Sequence, residues 1–459
     1  MDGQAWPSES LEGRGTLSCE SLVAGAVEEV RRAGRAAVGG SERVPRVAVL
    51  VSGGVDSSVA LRLVQAAGCD VTAFYIKIWL EDDLAFLAQG EGQQEHGESG
   101  GGGPESSNGV DAVPLSPVDA VKPMCPWESD VAEVRAVCEQ ANVKFEVVSL
   151  QREYWEGVIE YTVAEASKGR TPNPDVVCNS RIKFGTFLER FGDDFDLVAS
   201  GHYARIREEE GGEEKGRRKV SLVASPDAFK DQTYFLCNLS QVQLSRLVFP
   251  IGVMPKSEVR RLAQHFELPN ASRPDSQGLC FLGKVRFRDF LREHIADAPG
   301  DIVDVDTGAV VGQHLGVHLH THGQRSGLGL SGGPWYVVDK VAEKNEVRVS
   351  RRYYEDDGRW HRDWLEVDDV NWPGGAAPEG VVHGVPTREL RVKLRHGPSL
   401  ETCTCTFFFG DGTEGGQHRA RATVQLDKRD QGIAPGQFAV FYDGQGACVA
   451  AGPIAAGGT

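Results

Sequence analysis

The sequence predicts an α/β protein with an N-terminal doubly wound parallel sheet, a small central helical domain and a C-terminal β-barrel. Three observations carry this. From Val44 the chain reads strand, loop, helix, strand as VPRVAVLV, SGGVDS, SVALRLVQAAG and DVTAFYIKIWL. Alternation of that kind implies a mainly parallel sheet covered by helices on both faces, and it resumes between Asp130 and Ala204. Beyond Gly300 the text changes to short alternating runs and hairpins, IVDVDTGAVVG, EVRVSRRYY, TCTCTFFF, RARATVQL and QFAVFYDG, the pattern of a small barrel.

Taken in order, residues 1–43 read as an extension. Arg31, Arg32 and Arg35 stand there among several acids, so the two readings are an organelle-targeting segment and a disordered extension. Residues 44–239 form the first domain. Gly68 is placed where a helix C-terminal glycine belongs, and Val71 to Leu80 is a β-rich run. The segment from about 83 to 121 contains AQGEGQQEHGESGGGGPESSNG, whose composition cannot build a core, and a disordered surface insertion is expected. A helix near Asp130 to Ala141, a strand at Lys144 to Leu150 and an amphipathic helix from about Tyr154 to Lys168 follow. RTPNPDVVCNSRIKFG leads into a further helix, and the apolar strand DLVAS runs into GHYA. Glu208 to Lys219 reads as a hairpin-like solvated insertion. Residues 240–299 are expected to be mainly helical and carry Cys280. There MPKSEVRRLAQHFEL has Pro255 at a helix start and Val259, Leu262, Ala263 and Phe266 on one face. Residues 300–459 make the barrel.

At 459 residues the chain exceeds one ordinary core. No apolar run approaches the length of a membrane span, so a soluble protein without a membrane partner is expected. The net charge of -17 would argue against a polyanionic partner if it were evenly spread. Between Glu81 and Asp119, however, stand nine acids and no Lys or Arg, so local basic clusters are the better guide. The ten cysteines, at 19, 69, 125, 138, 178, 237, 280, 403, 405 and 448, include no CxxC pair. Their scatter through a long chain argues against a disulfide scaffold, and the lack of a CxxC pair weakens structural zinc; the pair at Cys403 and Cys405 fits alternation along a strand.

The stretch that can do chemistry first is SGGVDSS. Following a strand and opening a helix, its backbone N–H groups can wrap a phosphate. It lacks the GK[ST] of a Walker A loop, so no lysine is placed by the motif to reach the terminal phosphates. Such a loop suits an enzyme that adenylates a substrate and releases pyrophosphate. Ser52, Gly53, Gly54, Asp56 and Ser57 together resemble the loop of the PP-loop ATP pyrophosphatases, and Asp56 is a candidate for holding magnesium on the pyrophosphate. Further on, Asp175 and Cys178 lie between a rigid proline turn and the cationic Arg181 and Lys183. A cysteine at a helix start beside positive charge favours its reactive thiolate, although a buried structural cysteine is the plain alternative. Cys280, in RPDSQGLCFLG, supplies a second loop thiol. An ATP loop with two loop cysteines makes sulfur transfer an economical reading, one thiol carrying a persulfide and the other resolving it.

Together these blocks resemble the tRNA-specific 2-thiouridylase family. They are SGGVDSS, GRTPNPDVVCNSRIKFG, ASGHYAR, KDQTYFL, DSQGLCFLG, the run from Thr321 to Val338 and APGQFAVFYDG, and they extend in family order over nearly everything from Val44 to Gly452. The resemblance implies an adenine-nucleotide-hydrolase-like first domain that converts the wobble uridine of certain tRNAs to 2-thiouridine with ATP. It implies that Leu50, Val51, Ser52, Gly53, Gly54, Val55, Asp56 and Ser57 bind the ATP phosphates, with Ile76 and Gly201 near the adenosine. Asn173, Pro174 and Asp175 would meet the target base, Asp175 as acid or base. Cys280 would bear the persulfide and Cys178 would be its partner thiol, forming a disulfide. His202, Lys230, Asp231, Gln232, Arg395, His396 and Gln437 would contact tRNA at its anticodon loop. An upstream persulfide carrier or cysteine desulfurase system is the implied sulfur source.

The acidic insertion is longer than family usage, and His396 stands where bacterial relatives usually offer tyrosine. CPWESD from Cys125 resembles eukaryotic members, so an organellar location, mitochondrion or plastid, is expected, with the cytoplasm as the alternative. Other readings are an ATP-dependent ligase of the same superfamily and a tRNA-binding protein that no longer catalyses. An iron–sulfur cluster on Asp175, Cys178 and Cys280 is a further, less favoured arrangement.

Overall fold

The computed structural model describes residues 17–78, 126–214, 217–275, 286–354, 361–410 and 420–457. The expected insertion at 83–121 and Cys280 both lie outside the described residues.

Within residues 1–43, the segment Cys19–Ala37 is a helix, α1, rather than an irregular extension. Ser18 caps it by accepting a hydrogen bond from the Ser21 N–H at 3.2 Å, and Leu22, Ala26, Val27, Val30 and Gly34 form its buried stripe. The arginines that resembled a targeting signal lie on the other side. Arg32 pairs with Glu29 at 2.8 Å and Arg35 with Glu28 at 2.6 Å. The apolar face of α1 joins the same core as the next helix, α2 (Val55–Ala66).

The parallel sheet is built from β1 (Arg46–Leu50), β2 (Asp70–Lys77), β3 (Lys144–Ser149), β4 (Leu197–Ser200) and, after the hairpin of β5 (Ala204–Glu214) and β6 (Arg217–Ala224), the short β7 (Leu247–Val248). Its order is β3-β2-β1-β4-β7, with every pairing parallel. Val47 to Leu50 are buried in an unbroken row, as a strand covered on both faces requires. The chain first moves outward from β1 through β2 to β3, then restarts at β4 on the other side. The loops leaving β1 and β4 therefore diverge, and the crevice between them is the topological switch point where ligands bind in open α/β sheets.

Residues 240–275 are not separated from this sheet. β7 is its fifth strand, and the helix Lys256–His265 buries Val259, Leu262 and Ala263 in the core shared by α1 and α2. Phe266 packs against that core from its edge, completing the face that the helical spacing predicts. The Glu208 to Lys219 stretch is a hairpin, as expected, but its second strand does more than turn. β6 pairs with the last strand of the C-terminal barrel at Ala447 and Cys448.

The strands beyond Gly300 divide into two bodies. β8 (Gly300–Asp304), β9 (Val310–His314), β10 (Tyr336–Val341) and β11 (Glu346–Ser350) form a four-stranded sheet of order β10-β11-β8-β9. β12 (Arg362–Val370), β13 (Pro386–Thr387), β14 (Arg391–Lys393), β15 (Glu401–Phe408), β16 (Ala420–Asp430), β17 (Phe438–Tyr442) and β18 (Ala447–Gly457) make the barrel. Its path runs β12-β16-β15-β14-β17-β18 and closes through a β12–β18 pairing, leaving β13 as an outlying partner of β15. Cys403 and Cys405 both point into the barrel core along β15, as their alternation predicts. Among the described residues no helix is long and apolar enough to cross a membrane.

The barrel is fastened to the first domain by a buried ion pair. Lys393 of β14 donates to Asp231 at 2.7 Å with both side chains fully buried. The same carboxylate accepts from the Thr233 hydroxyl at 2.8 Å and from the Ser225 N–H at 3.1 Å, and the Thr233 and Tyr442 hydroxyls meet at 2.9 Å. Removing one partner would leave an uncompensated buried charge. Lys393→Met is expected to destabilise the protein by about 3–5 kcal/mol, and Asp231→Leu combined with Lys393→Met to recover most of that loss. Denaturation of the single and double variants checks this; a single variant as stable as the parent would contradict it.

Candidate functional site

The loop at the switch point holds its shape through its own polar groups. Gly53 has φ of +77°, a left-handed conformation natural to glycine. The Ser57 hydroxyl donates to the Gly54 carbonyl at 3.0 Å and accepts from the Ser52 N–H at 3.2 Å. The Ser58 hydroxyl donates to the Gly54 carbonyl at 3.0 Å. Leu50, Val51 and Val55 are buried and anchor the two ends. The first N–H groups of α2 lack intrahelical acceptors, which makes this end of the helix an anion site. Gly201, at the end of β4, closes the other wall. A Cβ there would lie 2.6 Å from the Ser57 nitrogen, so only glycine lets the two walls approach.

Residues far away in sequence support this loop, and the motif alone did not reveal them. Asn270 donates to the Gly53 carbonyl at 2.8 Å and to the Ser58 hydroxyl at 3.0 Å. Arg273 donates to the same carbonyl at 3.1 Å while paired with Asp130. Asp56 accepts from the Tyr203 hydroxyl at 2.8 Å, and Lys256 donates to its two oxygens at 2.7 and 2.8 Å. Burial and the Asp56 carboxylate both push the Tyr203 pKa up, so its hydroxyl keeps its proton. Lys256 also meets Asp275 at 2.8 Å, as do Lys230 at 2.9 Å and Arg260 at 2.5 Å. Partial burial alone would raise the Asp275 pKa, but hydrogen bonds from Lys256 and Lys230 and the surrounding positive charge outweigh it and hold the carboxyl far below its ordinary range.

These residues fit the phosphates of a nucleotide. The loop offers free helix-end N–H groups, and Arg273, Lys256 and Lys230 bring positive charge to one mouth. Asp56, the expected magnesium ligand, is held at both oxygens by Lys256.

The second half of the site is the short helix Pro174–Cys178. Asn173 caps it, accepting from the Val176 N–H at 3.3 Å, and Pro174 takes the first helical position. The barrel grips the preceding turn. Gln437 donates to the carbonyls of Thr171 and Pro172 at 3.0 and 3.2 Å, and its oxygen accepts from Asn173 at 3.2 Å. The Thr171 N–H donates to the Pro435 carbonyl at 2.7 Å, and a Cβ on Gly436 would lie 2.8 Å from the Thr171 carbonyl oxygen. Gln437 and Asn173, predicted separately, therefore form one clamp.

Asp175 and Cys178 are three residues apart on this helix and so share a face. Burial raises the Asp175 pKa, and the positive charge of Lys183 opposes it only in part. Cys178 is buried, and it is not at a helix start. It is the last residue of Pro174–Cys178, and the helical run continues through Asn179–Thr186 as a π-helical stretch, so the thiol lies a full turn inside rather than among the exposed N–H groups. Arg181 turns away, donating to the Gly157 carbonyl at 2.8 Å and lying 5.4 Å over the Tyr161 ring. Arg181, one of the two cations that the sequence places after Cys178, is thus committed to a neighbouring helix.

The two halves meet at His202. Its ring lies 5.7 Å from Phe184 of the π-helical stretch and 5.8 Å from Phe249 beyond β7, and Nδ1 is 2.8 Å from the Ser200 hydroxyl. Desolvation, with help from Lys183, pushes its pKa down to about 3, so it is neutral at physiological pH. Ile76 is half-buried at the end of β2, beside Lys77, whose ammonium lies 4.2 Å over the Trp127 ring.

The residues implied in RNA contact fall into two groups. Arg395 and His396 are exposed on the barrel, Arg395 paired with Asp430 and His396 stacked on Phe235 at 4.9 Å; Lys230 is half-exposed at the nucleotide mouth. The others face inward. Asp231 is consumed by Lys393, Gln232 accepts from the Tyr203 N–H at 2.9 Å, and Gln437 forms the clamp, so these side chains shape the surface rather than offer themselves to a backbone phosphate.

Three family models match the chain. The tRNA methyl transferase HUP domain covers residues 45–94 and 115–284, the tRNA methyl transferase PRC-barrel domain 288–351, and the aminomethyltransferase beta-barrel domain 362–454. The middle model coincides with the β8–β11 sheet and the last with the closed barrel. A Parabacteroides distasonis protein named tRNA-specific 2-thiouridylase MnmA is 38% identical over 399 residues, 86% of this chain and 95% of that one. A Bacteroides thetaiotaomicron protein named tRNA-specific 2-thiouridylase MnmA 1 is 37% identical over 413 residues, 89% of this chain and 99% of that one. Among solved structures, NMN synthetase from Francisella tularensis overlaps 60% of this chain and 82% of its own at 13% identity, with a TM-score of 0.32, too partial to bear on the assignment. Similarity at that identity over most of both chains, with all three family models matched in order, means that the chain belongs to the tRNA-specific 2-thiouridylase family.

Proposed function

We propose that the protein is an ATP-dependent tRNA uridine 2-sulfurtransferase acting on the wobble uridine, with Cys280 carrying the transferred sulfur as a persulfide and Cys178 as its partner thiol. The observation that carries this reading is the ring contact between His202, at the β1–β4 switch point that holds the anion-binding loop, and Phe184, on the helical run that continues from Asp175 and Cys178. The names of the relatives point to the same reaction.

The carbonyl at carbon 2 of uridine is a poor electrophile, and ATP, when bound, supplies a nucleotide leaving group on its oxygen. The chain's own residues do the rest. Ser52 to Ser57 and the start of α2 orient the phosphates. Asn173, Pro174 and Asp175 form the wall against which the base rests, and Asp175, its pKa raised by burial, exchanges a proton with the base. The terminal sulfur of the Cys280 persulfide bonds to carbon 2 as AMP departs with the oxygen. The Cys178 thiolate then attacks the Cys280 sulfur, breaking the sulfur–sulfur bond and leaving a thione on the base. The two electrons that reduce the persulfide sulfur come from the cysteines, which end as a disulfide and need an external thiol reductant before the next turnover. A persulfide carrier or cysteine desulfurase reloads Cys280. Location in an organelle belongs to the same proposal and rests on the CPWESD block.

Incubation with ATP, magnesium, a persulfide donor and unmodified tRNA is expected to yield 2-thiouridine by nucleoside mass spectrometry, and Cys178→Ser and Cys280→Ser each to abolish it. Thiolation surviving in Cys280→Ser would overturn the persulfide assignment.

Asp175 gives a second test with a definite sign. Its folded pKa is raised, so its contribution to stability is present at acid pH and is lost as pH rises from the ordinary carboxylate range through the raised value. Asp175→Asn is therefore expected to raise the melting temperature at neutral pH, with the gain shrinking toward acid pH. Thiolation should fall by about 10²- to 10⁴-fold, the usual worth of a positioned acid or base. Calorimetry at both pH values and single-turnover rates check the pair; an unchanged rate would remove Asp175 from the chemistry.

A further inference from the structure

The nucleotide loop has no lysine of its own, yet the fold brings one to it. Lys256 begins the helix Lys256–His265, about 200 positions after Asp56, and its ammonium bonds both Asp56 oxygens at 2.7 and 2.8 Å. It is shared with Asp275 at 2.8 Å, and the Tyr203 hydroxyl meets Asp56 from the other side. The other cations at this mouth are committed elsewhere: Arg273 to the Gly53 carbonyl and Asp130, Lys230 and Arg260 to Asp275. Among these described cations, Lys256 alone bonds a side chain of the loop. An acid at the N-terminal end of a helix that receives a triphosphate would repel its ligand unless masked. Lysine suits the task of masking and then moving, because its charge sits on a flexible stem rather than in a rigid fork.

We propose that Lys256 is the cation for the terminal phosphates of the nucleoside triphosphate, and that Asp56 is its resting place when no nucleotide is bound. This deepens the ATP-dependent reading above and rests on it. In the occupied site the ammonium transfers from Asp56 to the outer phosphates, supplying from another part of the chain the charge that a Walker A lysine supplies within its own loop. There it neutralises the charge that grows on pyrophosphate as the bond to the first phosphate breaks. Lys256 is thus a binding residue for the part of ATP that leaves and not for the part that becomes AMP.

That asymmetry is measurable without turnover. Calorimetric titration of the full chain with ATP and with AMP should show that Lys256→Met loses roughly 10- to 100-fold in ATP affinity, the worth of one charge-assisted contact. AMP affinity should be unchanged in the same variant, and Lys256→Arg should restore most of the ATP affinity. Because Lys256→Met leaves Asp56 without its cation, Asp56→Asn combined with Lys256→Met serves as a second variant, and the same selective loss is expected there. Equal losses for ATP and AMP in both variants would overturn the proposal in favour of a purely structural lysine, as would an unaltered ATP affinity. Failure of the wild-type chain to bind ATP at all would instead overturn the ATP-dependent reading, and this inference with it.

Discussion

The first turn of α2 and the loop leaving β4 touch with no side chain between them, and the rest of the site is arranged around that contact. Because Gly201 presents only backbone to Ser57, the end of β4 presses on the end of the glycine loop while β1 and β4 stay paired in parallel beneath it. Ser52, Ser57 and Ser58 satisfy the loop's own polar groups, and Asn270 and Arg273 hold the Gly53 carbonyl from behind. The helix-end N–H groups are left for a ligand.

Around this rigid base the barrel acts as a second wall rather than an appendage. β6 continues into the barrel through β18, Lys393 reaches into the first domain to pair with Asp231, and Gln437 holds the turn before Asp175. The three contacts lie on different barrel strands or loops, so the orientation of the Pro174–Cys178 helix depends on the closed barrel as much as on the sheet. The surface that carries Arg395 and His396 is thereby fixed relative to the helix that carries Asp175 and Cys178.

Charge is distributed on the same plan. The chain is strongly acidic overall, yet Lys230, Lys256, Arg260 and Arg273 cluster beside the glycine loop, each held by an aspartate. Pairing keeps such a cluster together in the absence of a polyanion.

The sequence by itself determined the α/β class, the phosphate-type loop, the hairpin at Glu208 to Lys219, the apolar face of the Lys256–His265 helix and the family. All of these are local: they depend on period, on glycine and proline, or on contiguous motifs, and local chemistry is written in consecutive residues. The α1 stripe was equally local but was obscured by three arginines that belong to its solvent face. What only the tertiary structure decided was which residues from distant segments meet. That Lys256 would neutralise Asp56, that Asn270 would hold Gly53, that Asp231 would face inward to Lys393, and that Gln437 would clamp Asn173 each required two stretches of chain separated by about 160 positions or more to be brought within hydrogen-bonding distance. The burial that raises the Asp175 pKa and keeps His202 neutral is likewise a property of the packed neighbours and not of the residues' own order, because desolvation is set by what surrounds a group in space.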